Sequence, residues 1–388
     1  MKLRIFSILL VLALVLSTFC GCIIAPEGYF ERTEASEKTT KAPEESTKSP
    51  ATDQDNESAF PSVPTDAAFA VHFIDVGQAD ASLVICDGKA MLIDGGNSED
   101  SSLIYSYLRD HGIEHLDYVV CTHAHEDHVG GLAGALSYAT VGTVFSPVTS
   151  YNSRVFENFV KKVDERGKSI TVPRAGQRFS LGSATVTVLG PVQEYDEPNN
   201  TSIVLRIVFG ELSFLFTGDM ESDAERDLID SGVDLRSTVL KVGHHGSGTS
   251  SSYLFLREVA PRYGVISVGT GNSYGHPHEN ILSRYRDADV QLYRTDLQGD
   301  VICTSEDGRT LQFSTEKNSS VQTNPTEDDR TESDTQAVEA YAYVGNLNSK
   351  KYHLATCSSL PDEKNRIYFT TRAEAEAAGY TPCSRCDP

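Results

Sequence analysis

The chain has 388 residues, 39% of them hydrophobic and 23% charged, with 29 Gly, 15 Pro, 8 Cys and no Trp. That length suits two or three domains of roughly 100–200 residues, while the sparse cysteines and the missing heptad or Gly-X-Y period exclude a disulfide miniprotein, a coiled coil and collagen. The formal charge of −22, of which −14 falls on residues 67–315, includes no block with the basic excess of an electrostatic nucleic-acid binder, so bulk electrostatics weigh mildly against DNA or RNA as a partner.

Lys2 and Arg4 precede an apolar run over residues 5–16, followed by Ser17, Thr18, Phe19, Cys20, Gly21 and Cys22. A basic start, an apolar stretch and a small residue before the cut describe an export signal. Gly21-Cys22 resembles a bacterial lipoprotein cleavage site, which makes 1–22 the signal peptide and Cys22 the lipidation residue. The alternatives are an uncleaved anchor over 5–25 and plain secretion. Each puts the body outside the cytoplasm, on the extracellular side of the bacterial membrane. Residues 23–66, rich in Ser, Thr, Glu, Lys and Pro, read as a disordered tether, and 316–338, with Glu327-Asp328-Asp329-Arg330, as an acidic linker. Two folded units remain, 67–315 and 339–388.

Within 67–315, β-rich runs alternate with helical stretches. Strands are predicted over 69–75, 81–86 and 90–94, and a helix over 101–110. An apolar strand over 116–122 runs into His123-Ala124-His125-Glu126-Asp127-His128, and Val129-Gly130-Gly131 opens a helix. Strands over 203–208 and 212–217, the turn Gly218-Asp219 and a helix over 221–229 follow. A strand over 238–242 leads to Gly243-His244-His245-Gly246-Ser247, and one over 265–268 to Tyr274-Gly275-His276-Pro277-His278. His and Asp thus recur where apolar strands end, the place where layered α/β folds put their sites. The alternation predicts two sheets between helices. Cys86, Cys121 and Cys303 sit singly in apolar runs and read as small core residues.

The cluster His123, His125, Asp127, His128 is the strongest signal. In a tight loop, alternate side chains fan toward different points, so two imidazoles address one metal and the adjacent Asp and His another. Imidazole and carboxylate suit Zn²⁺, with Mn²⁺ or Fe also compatible.

HxHxDH after a strand, a later Thr-Gly-Asp and a final post-strand His resemble the metallo-β-lactamase fold. More narrowly, Asp75-Val76-Gly77-Gln78-Ala79-Asp80, Leu92-Ile93-Asp94-Gly95-Gly96, Asn199-Asn200-Thr201-Ser202 and the stretches 240–247 and 272–278 resemble the extracellular hydrolase domain of ComEC-type competence proteins. The resemblance covers essentially all of 67–315. It implies a four-layer αββα sandwich with one or two metal ions. His123 and His125 match the first metal site, Asp127 and His128 the second, and Asp219 the bridging carboxylate. His244 or His245 matches the terminal ligand. Asn199 and Asn200 stand where most of the superfamily supplies a third His, which makes the first site the looser one. Asp75, Asp80 and Asp94 are expected to hydrogen-bond to metal-bound histidines. His276 and His278 are left for phosphate binding or proton donation, or for bonding the loop backbone, and Ser247 for substrate or support. A metal so held lowers the pKa of its water to about 7, giving hydroxide near neutrality. Asp127 is expected to orient that nucleophile, and the catalytic set is Asp127, His244, His245 and His276.

In the C-terminal unit, His353-x3-Cys357 and Cys383-x2-Cys386 form the paired arrangement of a closed structural zinc site. So small a unit has little core, and metal would supply much of its folding free energy. The segment, an α+β module, resembles the N-terminal zinc module of the Ada DNA-repair protein, notably over Ala377–Cys386. His353 stands where that family has its methyl-accepting Cys, which argues against phosphotriester repair and leaves zinc binding and DNA contact.

The function expected from these readings is that of an exported, lipid-anchored metal-dependent phosphodiesterase or nuclease acting on extracellular DNA. It is expected to be monomeric and to associate with a DNA-uptake system. The alternatives are a metallohydrolase of phosphorylcholine-type or other small esters, and a non-catalytic DNA- or surface-binding lipoprotein.

Overall fold

A computed structural model describes residues 67–325 and most of 343–386, omitting 355–356, 358, 362–364 and 370–371. The signal peptide, Cys20, Cys22, the tether 23–66 and linker residues 326–338 lie outside the described residues. Among the described residues, no helix is long and apolar enough to cross a membrane.

The first sheet comprises β1 (Phe69–Phe73), β2 (Ser82–Cys86), β3 (Lys89–Ile93), β4 (His115–Val120), β5 (Thr140–Phe145) and β6 (Ile170–Thr171). It is extended past β1 by two strands from the end of the domain. The second sheet comprises β7 (Arg178–Leu181), β8 (Ala184–Gly190), β9 (Val204–Phe209), β10 (Leu212–Phe216), β11 (Val239–Lys241), β12 (Tyr263–Ile266) and β13 (Gln291–Arg294). The two added strands are β14 (Val301–Ser305) and β15 (Gln312–Thr315). The orders are β15-β14-β1-β2-β3-β4-β5-β6 and β13-β12-β11-β10-β9-β8-β7.

Period-two alternation with both faces apolar explains why the sheets bury both sides. Phe69, Val71, Phe73, Val84, Met91 and Ile93 point between the sheets and meet Val186, Val188, Phe214 and Phe216. Leu83 and Leu92 point the other way, toward α1 (Ser101–Asp110), α3 (Leu132–Tyr138) and α4 (Arg154–Glu165), beyond the short α2 (Glu126–Val129). On the second sheet, Leu215, Leu240 and Ile266 face α5 (Ser222–Asp230), α6 (Tyr253–Val259) and α7 (Glu279–Asp287). The result is helix, sheet, sheet, helix.

Strands β3 to β6 pair in parallel, as do β10 to β13. Their C-terminal ends therefore share one edge, and the motif loops after β3, β4, β10, β11 and β12 all leave from it.

The expected boundary at 315 moves. Residues 316–325 fold back on the domain: Glu316 N donates to Asp300 O (2.9 Å), Thr323 Oγ1 to Leu292 O (2.7 Å), and Arg286 to Asn324 Oδ1 (2.7 Å). Composition hid this, because main-chain and short polar groups make the contacts and no apolar period is needed. Cys86, Cys121 and Cys303 are buried, unpaired and packed as core residues.

The C-terminal unit is a four-stranded sheet of β16 (Tyr343–Asn346), β17 (Lys351–Leu354), β18 (Arg366–Phe369) and β19 (Thr381–Pro382), ordered β18-β16-β17-β19. Among the described residues its apolar core is small and centres on Tyr352, Phe369, Ala375 and Tyr380.

Candidate metal centre

Glycine lets the first loop close. A Cβ on Gly131 would stand 1.8 Å from Gly95 O, and one on Gly130 would stand 2.3 Å from Ser98 N. Without side chains there, the start of the helix after the His cluster rests directly on the Asp94 loop, and Gly95 N donates to His128 O (2.8 Å). Asp94 then accepts from Thr122 N, Thr122 Oγ1 and His128 Nδ1, at 2.7, 2.7 and 2.9 Å. With its Nδ1 so engaged, His128 turns Nε2 toward the cluster.

The second sheet supplies the opposing groups. Asp219 follows the tight turn at Gly218, and its backbone N–H donates to Ser202 Oγ (3.1 Å). His244 and His245 both lie in the left-handed region, at φ 50° and 53°, a conformation that costs roughly 1–2 kcal/mol per non-glycine residue. Both rings nonetheless reach Asp219. His245 Nδ1 donates to Ser267 O (3.0 Å) and stands 3.3 Å from Asp80 Oδ1, leaving Nε2 inward.

Two lobes meet at Asp219. In one, Asp219 Oδ1 is 3.3 Å from His128 Nε2, Asp127 Oδ2 is 3.3 Å from His245 Nε2, and Asp219 Oδ2 is 3.6 Å from His245 Nε2. In the other, His123 Nε2 stands 3.1 Å from His125 Nδ1 and 4.0 Å from Asp219 Oδ2, and His244 Nε2 is 3.7 Å from that same oxygen.

Burial penalises charge on Asp219, His128, His245 and His123, but opposite charges prevail at the first three. Asp219 is buried, yet His128, His244 and His245 hold its carboxylate well below the ordinary range. His128 is likewise buried, while Asp219, Asp94 and Asp127 push its imidazole well above the usual value. Asp219 and Asp80 push His245 up to about 10 against its burial. His123 goes the other way, lowered by burial and by the neighbouring His128.

The donor set fits a divalent cation. His128 Nε2, His245 Nε2 and Asp219 Oδ1 are buried without a hydrogen-bond partner. One ligand atom from each of Asp127, His128, Asp219 and His245 lies within 4.8 Å of all the others. Ligands about 2.0–2.2 Å from a tetrahedral ion stand roughly 3.3–3.6 Å apart, close to the spacings above.

Asp80 and Asp94 support this cluster, but Asp75 does not. Its Oδ1 accepts from Gly77 N (3.3 Å) and its Oδ2 is 3.7 Å from Lys317 Nζ, because β1 ends before Asp75 and turns the side chain toward the domain's last segment. Asn199 and Asn200 brace a neighbour: Asn199 Nδ2 donates to Glu221 Oε1 (3.3 Å) and Asn200 Oδ1 accepts from Glu221 N (2.9 Å). Glu221 in turn is 3.5 Å from His244 Nδ1. Asn199 Oδ1 is buried without a partner. Ser247 Oγ meets Thr249 Oγ1 (3.1 Å), which meets His244 Nδ1 (3.2 Å). His276 packs its ring 5.8 Å from His244. His278 ties loops together, its Nδ1 accepting from Gly248 N (2.9 Å).

Sequence reasoning missed Lys241, Glu221, Thr122 and Gln78. Lys241 had a signal, a lysine inside the apolar run Val239–Val242. It is buried, with Nζ 2.8 Å from Asp80 Oδ1.

In the C-terminal unit, one ligand atom from each of His353, Cys357, Cys383 and Cys386 lies within 4.8 Å of the others. His353 Nε2 is buried and unpartnered. The Arg385 N–H donates to Cys383 Sγ (3.4 Å) and lowers that thiol to about 7. The set fits one tetrahedral zinc.

The metallo-beta-lactamase superfamily model matches residues 74–270, and the model for the metal binding domain of Ada matches 328–388. ComE operon protein 3 of Bacillus subtilis is 29% identical over 252 residues, covering 60% of this chain and 32% of that protein. Competence protein ComA of Neisseria gonorrhoeae is 33% identical over 241 residues, covering 61% and 32%. The chain thus spans about a third of the length of these curated relatives. Among solved structures, the metallo-beta-lactamase fold protein YhfI from Bacillus subtilis is 14% identical with a TM-score of 0.38, over 58% of this chain and 95% of that one. Igni18, a metallo hydrolase from Ignicoccus hospitalis, is 16% identical with a TM-score of 0.41, over 60% and 98%.

Proposed function

The chain belongs to the metallo-β-lactamase superfamily, a metallohydrolase related to competence proteins, and we propose that it cleaves phosphodiesters, with extracellular DNA as the substrate. The observation that carries this reading is Asp219, a buried carboxylate approached from two sides by His123, His128, His244 and His245. Two adjoining donor lobes sharing one carboxylate suit an anionic ester better than a neutral one.

Asp127, His128, Asp219 and His245 would hold one divalent cation, with His123, His125 and His244 on the adjoining side of Asp219. When bound, such cations supply Lewis-acid charge and acidify water at neutral pH. The remaining work falls to the protein. Asp127 is the most open member of its lobe, its side chain 32% exposed. Burial notwithstanding, His128 and His245 hold its carboxyl far below the ordinary range, so it stays ionised and can align an attacking water. Gln78 Oε1 accepts from Gly269 N (3.1 Å), which turns Gln78 Nε2 toward His276 Nδ1 (3.3 Å). That contact leaves the His276 proton on Nε2. Burial, with His278, His245 and His244 nearby, lowers His276 to about 2. It therefore acts as a neutral donor that binds a phosphoryl oxygen.

The Lys2/Arg4 start, the apolar run and Gly21-Cys22 support a lipid-anchored position outside the cytoplasm. The C-terminal zinc module supports a role in holding polymer near the site, beside a DNA-uptake system. The test is hydrolysis of bis(p-nitrophenyl) phosphate, a DNA oligonucleotide and p-nitrophenylphosphorylcholine by the full chain with Zn²⁺ or Mn²⁺. Turnover of bis(p-nitrophenyl) phosphate and of the oligonucleotide supports the proposal. Turnover of the phosphorylcholine ester alone would replace it with the small-ester reading, and no turnover at all would favour a binding protein.

A further inference from the structure

Tyr274 leaves 52% of its surface exposed on the loop that ends in His276 and His278. The loop is held firmly. Asn272 Oδ1 accepts from Tyr274 N and His276 N, at 3.1 and 3.0 Å, and Asn272 Nδ2 donates to Gly269 O and His276 O, at 2.9 and 2.7 Å. The Tyr274 ring lies 5.5 Å from the His276 ring and only 24° from parallel, so imidazole backs one face. A run of neighbouring rings begins at Tyr151, 6.5 Å from His125. It continues through the metal-facing histidines to His244, 5.8 Å from His276, and ends at Tyr274.

A flat, half-open aromatic ring at the end of a run of histidines has a use if the substrate carries flat groups. The domain carries a charge of −14 over 67–315, so anions outnumber fixed cations and affinity has to come partly from uncharged contacts. Bases inside a duplex stack on one another and offer only their edges. An unpaired base offers its whole π-face, and stacking on a tyrosine tolerates any sequence. Building on the phosphodiester reading above, we propose that Tyr274 stacks on the nucleobase beside the scissile phosphate, which makes the substrate a polynucleotide strand with unpaired bases.

The experiment uses the metal-loaded full chain and phosphorothioate-linked strands, which resist cleavage, so that binding is read without turnover. The probes are a single-stranded oligonucleotide carrying 2-aminopurine, the same strand with abasic residues, and the annealed duplex. Wild type should quench the 2-aminopurine and bind the abasic strand and the duplex roughly 5- to 150-fold more weakly. Tyr274→Leu should lose the quenching and the preference for bases, and Tyr274→Phe should keep both, with melting temperatures confirming that the variants fold. Equal binding of abasic and base-bearing strands by wild type, equal binding of the duplex, discrimination retained in Tyr274→Leu, or no binding of any strand would overturn the proposal. Each of these stands apart from hydrolysis. Stacking with no metal-dependent turnover on any diester would sink the hydrolytic function and leave the stacking site standing.

Discussion

Lys241 Nζ lies 2.8 Å from Asp80 Oδ1, both side chains are buried, and the same Asp80 oxygen stands 3.3 Å from His245 Nδ1. Lys241 also donates to Val242 O (3.0 Å). Lys241 and then His245 outweigh the burial of Asp80 and bring its carboxyl down to about 2. The pair thus keeps an anion beside His245 Nδ1, and that anion aims Nε2 at Asp127 and Asp219.

Removing one partner strands the other charge in the interior, which costs about 3–5 kcal/mol. Lys241→Met should therefore lower the melting temperature sharply and weaken Zn²⁺ binding in the hydrolase domain. Adding Asp80→Asn should recover much of the stability and little of the metal affinity. Calorimetry and a competitive chelator titration read the two effects. Recovery of both together would mean that the pair acts on folding alone.

Asp219 joins the two lobes, so its loss should cost more than that of any single histidine. Asp219→Asn should reduce bound metal in the hydrolase domain at least tenfold more than Asn199→Ala, whose amide holds Glu221 at one remove. Metal counting after gel filtration of the full chain distinguishes the two. Equal losses would place Asn199 among the principal ligands.

Asp300 gives a pH signature away from the metal centre. Its Oδ1 accepts from Asp75 N (2.7 Å). Burial, reinforced by Glu316 and Asp75, raises its carboxyl from 3.8 to about 6. The stability tied to its protonated form is full below about pH 4 and is lost as pH rises through about 6, amounting to at most about 3 kcal/mol. Asp300→Asn fixes the neutral form, so it should melt above wild type at pH 7.5 and level with it at pH 4. A difference that does not change with pH would refute this assignment.

In the C-terminal unit, Cys383→Ser removes one of four candidate ligands from a module whose apolar core is small among the described residues. It should release zinc and abolish hydrogen-exchange protection across 343–386, while the melting of 67–325 stays in place. Protection retained without zinc would show that the small core suffices.

Much of the frame was legible from residues alone. The helix over Ser101–Asp110 and the strand ends carrying His123, Asp219 and His244 follow from apolar periods broken by polar residues. Local pattern says less about side-chain direction. His244 and His245 are neighbours in the chain, and only their paired left-handed backbone sends both rings to Asp219. Asp75 and Asp80 share one motif, but the turn at Gly77, with φ 67°, separates them. Asp80 faces His245 and Asp75 faces Lys317. The helix Arg154–Glu165 carries no chemical motif, though Phe156, Phe159 and Val163 recur at helical spacing, and the fold-back of 316–325 is fixed by tertiary contact.

The central claim is that Asp127, His128, Asp219 and His245 hold a divalent cation for phosphodiester cleavage. Its most direct test is the kcat of metal-loaded full chain on bis(p-nitrophenyl) phosphate, measured for wild type and Asp127→Ala alongside their metal content. Wild type should show metal-dependent turnover, lost on chelation and restored by Zn²⁺ or Mn²⁺, and Asp127→Ala at least a hundredfold lower kcat together with reduced metal. Wild-type turnover that survives full chelation, or an Asp127→Ala variant with undiminished kcat and metal, would contradict it.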